Sequence, residues 1–176
     1  MEQTWDIQMK IKMILMKLML VFSLISLAYS NMYFVSESQG NDISGDGSQE
    51  NPFQSIQIGI DMSSTGDTVI VGEGIYSENL FIDKIIMLTS HFMYGNNENF
   101  IENTIIDGSG ARDDFGSVIT VQGNESYCIQ PTIQGFTIQH GMGNTIDELI
   151  EGPDGPYSIE KSYGGGIFIN FAIPRI

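Results

Sequence analysis

TVIVGEGIYSENLFIDKIIMLTS, residues Thr68–Ser90, is the stretch that decides the fold class. It holds three short β-prone runs: TVIV (Thr68–Val71), NLFI (Asn79–Ile82) and IIMLTS (Ile85–Ser90). Apolar and β-branched side chains fill the runs, and Gly, Asn and Asp punctuate them, the pattern of short strands between turns. The texture continues downstream in NTIID (Asn103–Asp107), SVITV (Ser117–Val121), TIQGFTIQ (Thr132–Gln139) and GGIFIN (Gly165–Asn170). No further helical period interrupts these runs, so a doubly wound fold with helical crossovers is excluded at this level. A sandwich or barrel of hairpins would favour two-residue Asn-Gly or Asp-Gly turns. Asp107-Gly108 instead leads into SGARDDFG. The linkers run from two residues (Asp83-Lys84) to 25 (His140–Gly164). Short strands with such uneven linkers predict a parallel β-helix, in which surplus residues loop out between strands.

Upstream of Thr68, MYFV (Met32–Val35) reads as a strand, and Ser36–Asn51 as successive turns around Gly40, Gly45 and Gly47. Pro52–Ser64 reads as a helix. Asn51 is its expected N-cap, and Pro52 its first residue, where the missing N–H costs nothing. Phe53, Ile56 and Ile60 form one apolar stripe, and Gly66 ends the segment. A helix here would cap the apolar end of a stack of strands.

The first thirty residues read as a secretory signal peptide. Lys10, Lys12 and Lys17 precede the apolar run Leu18–Leu27, and Ala28-Tyr29-Ser30 closes it with small residues at the cleavage positions. The run is shorter than the roughly 20 residues a membrane-spanning helix needs. The expected organisation is therefore 1–30 signal peptide, 31–67 strand, acidic turns and capping helix, and 68–176 strands of the helix proper. Beyond Ser30, four basic and twenty acidic side chains give a net charge of −16. Such a surface repels nucleic acid, anionic lipid and, without a bridging cation, polyanionic polysaccharide. No second apolar stretch is long enough for a membrane span. Cys128 is the single cysteine, so no internal disulfide is expected.

The segment Tyr33–Ser90, with its strand, Gly/Asn/Asp turns, NPF helix start, GDTVIV strand and GIYSEN turn, resembles the N-terminal region of secreted proteins with the right-handed parallel β-helix, or pectin-lyase-like, fold. NTIIDGSG, SVITVQG, IQGFTIQHG and GGGIFIN resemble further coils of that family. The resemblance implies an all-β, right-handed parallel β-helix with one N-terminal capping helix, secreted or at the cell surface and associated with extracellular polysaccharide. Pro174-Arg175-Ile176 looks like the first step of another coil, which implies a chain that continues in a longer product.

The candidate chemistry is sparse. Elimination from a uronate needs a base, usually with Ca²⁺ to neutralise the carboxylate. Lys84, Arg112, Lys161 and Arg175 are the basic side chains on hand, and none sits in a lyase-like motif; Lys84, in the tight Asp83-Lys84 corner, reads as a solvated turn residue rather than a base. Glycoside hydrolysis needs paired carboxylates, and Asp107, Asp113 and Asp114 lie close together in sequence. The paired-Asp, His and Arg-Lys signatures of the family's hydrolases are missing. His140 stands at a turn position, and His91 has no partner pattern. Asp42 and Asp46, in NDISGD, are candidates for a Ca²⁺ site, against the plainer reading of a hydrogen-bonded turn. Asn124-Glu125-Ser126 is a glycosylation sequon. Two functions follow: a polysaccharide-associated protein, lyase or hydrolase if it is an enzyme, or a non-enzymatic surface adhesin. Fold resemblance alone does not separate them.

Overall fold

The structure, a computed structural model, describes residues 9–17, 30–110, 116–153 and 155–176. The chain divides into two compact units, Met1–Ser30 and Asn31–Ile176. In the first, residues 9–17 are helical. The apolar run Leu18–Leu27 and the cleavage residues Ala28 and Tyr29 lie outside the described residues. Among the described residues no helix is long and apolar enough to cross a membrane.

The second unit is built on three parallel sheets. The first takes β1 (Met32–Val35), β2 (Thr68–Val71), β5 (Met87–Ser90) and β8 (Thr132–Gln134), in that spatial order. The second takes β3 (Gly74–Tyr76), β6 (Thr104–Asp107) and β9 (Thr137–Gln139). The third takes β4 (Leu80–Ile82), β7 (Ile119–Gln122) and β12 (Ile167–Asn170). An antiparallel ribbon, β10 (Asn144–Gly152) with β11 (Gly155–Tyr163), occupies the long linker after β9.

Register aligns like side chains. Tyr33, Val69, Leu88 and Ile133 form one row. Tyr76, Ile106 and Ile138 form a second, and Leu80, Ile119 and Ile167 a third. These rows meet in one apolar cluster. Burying each Leu or Ile of this kind stabilises by about 1.5–3 kcal/mol.

The expected all-β, right-handed parallel β-helix with a single capping helix is overturned. The unit is mixed α/β: three separate parallel sheets joined by helices α1 (Ile56–Met62) and α2 (Asn99–Asn103), the 3₁₀ turns His91–Tyr94 and Gly108–Gly110, and the ribbon, not one solenoid. Helix α2 is absent from the sequence pattern because it is five residues long and buries none of them, so it carries no apolar stripe.

Helix α1 is also shorter than expected. Its N-cap is Ser55, not Asn51. Phe53 is held before it in extended pairing with Val35 and donates its N–H to Phe34 O. The helix is tied at both ends by distant side chains. Asp42 and Glu78 accept the N–H groups of its first turn, and Lys84 Nζ donates to Ile60 O at 3.1 Å and Ser63 O at 3.2 Å. Carboxylates at the N-terminus and an ammonium at the C-terminus match the helix dipole. Lys84 is thus a helix-end donor and not a solvated turn residue. Asp67, 3% exposed, accepts from Asn31 N at 2.7 Å and Ser64 N at 2.8 Å, joining the start of β1 to the exit from α1.

Candidate functional site: the Asp107–His140 cluster

Parallel pairing sets Asp107, the last residue of β6, beside Gln139, the last residue of β9. Gln139 Nε2 donates to Asp107 Oδ2 at 2.8 Å. The chain then turns sharply. His140 has φ +58°, in the left-handed region that few non-glycine residues occupy. That turn swings its imidazole back onto the same carboxylate, with Nδ1 3.0 Å from Asp107 Oδ2. Ser109 N donates to the other oxygen, Oδ1, at 2.8 Å.

These hydrogen bonds, from Ser109 first and then Gln139 and His140, hold the Asp107 carboxyl well below the usual carboxylate range. An ionised carboxylate only accepts, so His140 Nδ1 carries the proton of that contact. Nε2 is left on the outer side of a ring that is 62% exposed, while the Asp107 side chain is 11% exposed. Such a carboxylate orients an imidazole and fixes its tautomer. The arrangement can bind a hydroxyl-rich ligand through Nε2 and the Gln139 amide, or move a proton at Nε2.

The backbone around His140 is closely packed. Met142 N and Gly143 N both donate to Gly116 O, at 2.6 and 2.8 Å. A Cβ on Gly116 would fall 1.7 Å from Gly143 O, and one on Gly141 1.7 Å from Gly165 O. Glycine is required at both crossings. The base of the β10–β11 ribbon is pinned there, directly after the histidine.

The other candidate residues lie elsewhere. Asp42 accepts from Gln54 N at 2.7 Å, from Ser55 N at 2.9 Å and from the Ser55 hydroxyl. Burial raises its pKa, but the hydrogen bonds from Ser55 and Gln54 outweigh that and leave the value lowered. Asp46 accepts from Ser48 N at 2.9 Å in a local turn. Both carboxylates therefore serve the turn and helix start. Among the described residues no three His, Cys, Asp or Glu side chains are grouped to hold a metal ion.

His91 packs its ring against Tyr94 and edge-on to Phe100, each with centroids 5.8 Å apart. Arg175 lies in a bridge to Thr132. Cys128 is a free, exposed thiol. Asn124, of the sequon, sits in an exposed turn and accepts from Ser126 N. Arg112, Asp113 and Asp114 lie outside the described residues, as does the side chain of Lys161.

The pairing of Asp107 with His140 escaped the sequence reading because 33 residues separate them. A usable signal existed in the equivalent placing of the two residues, each at or just after the end of a TI-type run (NTIID and FTIQH). No protein-family model matches this chain, and no curated protein matches it.

Proposed function

We propose that this is a secreted or cell-surface protein associated with extracellular polysaccharide, and that Gln139 and His140, positioned by Asp107, contact the glycan. The observation that carries the reading is the cluster itself. Two planar hydrogen-bonding side chains are fixed side by side on one carboxylate at the ends of neighbouring strands. Fixed amide and imidazole groups suit sugar hydroxyls, which both donate and accept. The acidic character of the chain favours a neutral polysaccharide over a polyuronate, unless a cation bridges the two. Secretion is supported by the charged, apolar and small-residue order of the first thirty residues.

Pull-down of the full chain on insoluble neutral polysaccharides tests this. Binding that falls on His140→Ala and Asp107→Asn, with the fold intact by circular dichroism, is the expected result. Failure to bind any glycan overturns it.

The Asp107–His140 contact also favours a catalytic version of the same reading, because a carboxylate-held imidazole is a general acid–base group. An ultraviolet assay for unsaturated uronates, with and without Ca²⁺, and a reducing-end assay for hydrolysis test it. No product from either sinks the catalytic version and leaves binding standing.

A further inference from the structure

A cleft of about 360 Å³ opens between the end of β1, the acidic turn stretch, the Gly72-Glu73 corner and His91. Its lining is more polar than apolar and includes Ser38, Gln39, Gln49, Glu73 and His91 beside Phe34. The side chains of Ser38, Gln39, Gln49 and Glu73 are solvent-exposed, and none of them hydrogen-bonds another described residue.

A second cleft, of about 450 Å³, differs in its lining. There, among the described residues, Gln57, Glu78 and Asn79 are engaged internally, while Ser77 is not. Gln57 Nε2 donates to Asp61 and to Phe81 O, its Oε1 accepts from Phe81 N, Glu78 holds the start of α1, and Asn79 Nδ2 donates to Ser117 O. In the smaller cleft the polar side chains are open to solvent and to a ligand. Its volume lies in the usual range for small-ligand sites, roughly 300–1,000 Å³.

We propose that the Gln39/Gln49/Glu73/His91 cleft binds a neutral sugar unit. Each amide offers a donor and an acceptor, as each sugar hydroxyl does. Glu73 adds an acceptor and, with the net charge, disfavours an anionic sugar. Half-buried Phe34 supplies an apolar surface for the C–H face of a pyranose ring. The His91 ring is held from behind by Tyr94 and Phe100. Gly72 also lines the cleft, where a Cβ would stand 3.3 Å from Val35 O and 4.0 Å from His91 Cε1. This site shares no residue with the Asp107–His140 cluster and does not depend on that cluster's function.

Saturation-transfer NMR on the full chain is the test, with methyl glucoside, methyl galactoside and methyl mannoside as probes and methyl glucuronide as the anionic counter-probe. At least one neutral glycoside gives transfer, and the glucuronide gives less. Affinity falls at least about fivefold in the Gln39→Ala/Gln49→Ala double variant and is unchanged in His140→Ala. Should the double variant fail to fold, Glu73→Ala, at an exposed lining residue, gives the same readout. No transfer from any neutral glycoside, equal transfer from the glucuronide, or binding unmoved by the cleft variants overturns the proposal.

Discussion

Glu78 closes the N-terminus of α1 from the far side of two strands: its Oε1 accepts from Ile56 N at 2.8 Å and its Oε2 from Gln57 N at 2.9 Å. Ser55, the N-cap by position, makes no side-chain capping bond of its own. The helix therefore depends on carboxylates contributed from outside it. Burial raises the Glu78 pKa above its ordinary value, against the two backbone hydrogen bonds that lower it.

Replacing Glu78 by Gln sets an amide N–H against backbone N–H groups. The variant loses about 1–2 kcal/mol in urea unfolding at neutral pH. The pH dependence has a definite sign. A raised carboxyl pKa means the folded state binds the proton more tightly. Stability therefore falls as pH rises from the ordinary carboxylate value through the raised one. Glu78→Gln removes that slope; an identical slope in both proteins would rule Glu78 out as its source.

Asp42 works in the opposite sense. Its lowered pKa means its contribution is full above the ordinary carboxylate range and is lost as pH falls through the folded value. Asp42→Ala costs about 1 kcal/mol, the usual value for a lost helix cap. Because its oxygens are already engaged, added Ca²⁺ leaves the melting temperature unchanged. A Ca²⁺-dependent rise that disappears in Asp42→Ala would restore the metal reading of Asp42 and Asp46.

Asp107→Asn is diagnostic for the candidate site. The depressed pKa makes the carboxylate stabilising above the ordinary value and progressively less so in acid. The variant has a flatter acid limb of melting temperature against pH. The amide also leaves one acceptor oxygen for the three groups that met two, which weakens the hold on the His140 Nδ1 proton, so NMR of the imidazole nitrogens reports a changed tautomer. An unchanged tautomer would mean the Asp107 contact does not set it.

Thr104 is fully buried, and its hydroxyl has no hydrogen-bond partner among the described residues. A lone buried hydroxyl costs about 1–3 kcal/mol. Thr104→Val keeps the shape and removes the polar atom, so it stabilises by about 1 kcal/mol in thermal or urea unfolding. Loss of stability would reveal a partner for that hydroxyl.

Leu88 lies in the central apolar row at 0% exposure, and Ile43 stands 98% exposed. Leu88→Ala costs about 2–5 kcal/mol, and Ile43→Ser stays within about 0.5 kcal/mol. Comparable losses at the two positions would contradict the placement of the core.

Several strands were legible because their signals are local. Met32–Val35 and Thr68–Val71 have the bounds the sequence predicts, and Gly135, at φ +81°, divides TIQGFTIQ into β8 and β9. The apolar stripe of α1 was visible through Ile56 and Ile60, while Phe53, counted in that stripe, belongs to the extended segment before the helix. The β10–β11 ribbon lies in a stretch whose sequence has the character of a plain linker, and α2 leaves no trace in the sequence. Short helices without a buried face and isolated ribbons carry little periodic signal.

The sequence by itself determined where short apolar runs alternate with Gly, Asn and Asp, that one amphipathic helix follows the acidic turns, and how acidic the chain is. Those properties are set within a few neighbouring residues. Only the tertiary structure decided that the runs assemble as three parallel sheets in a mixed α/β unit, that Asp42, Glu78 and Lys84 secure one helix, and that Asp107 meets His140. Each of these depends on register between strands far apart in the chain, and register is fixed by the packing of whole rows of side chains.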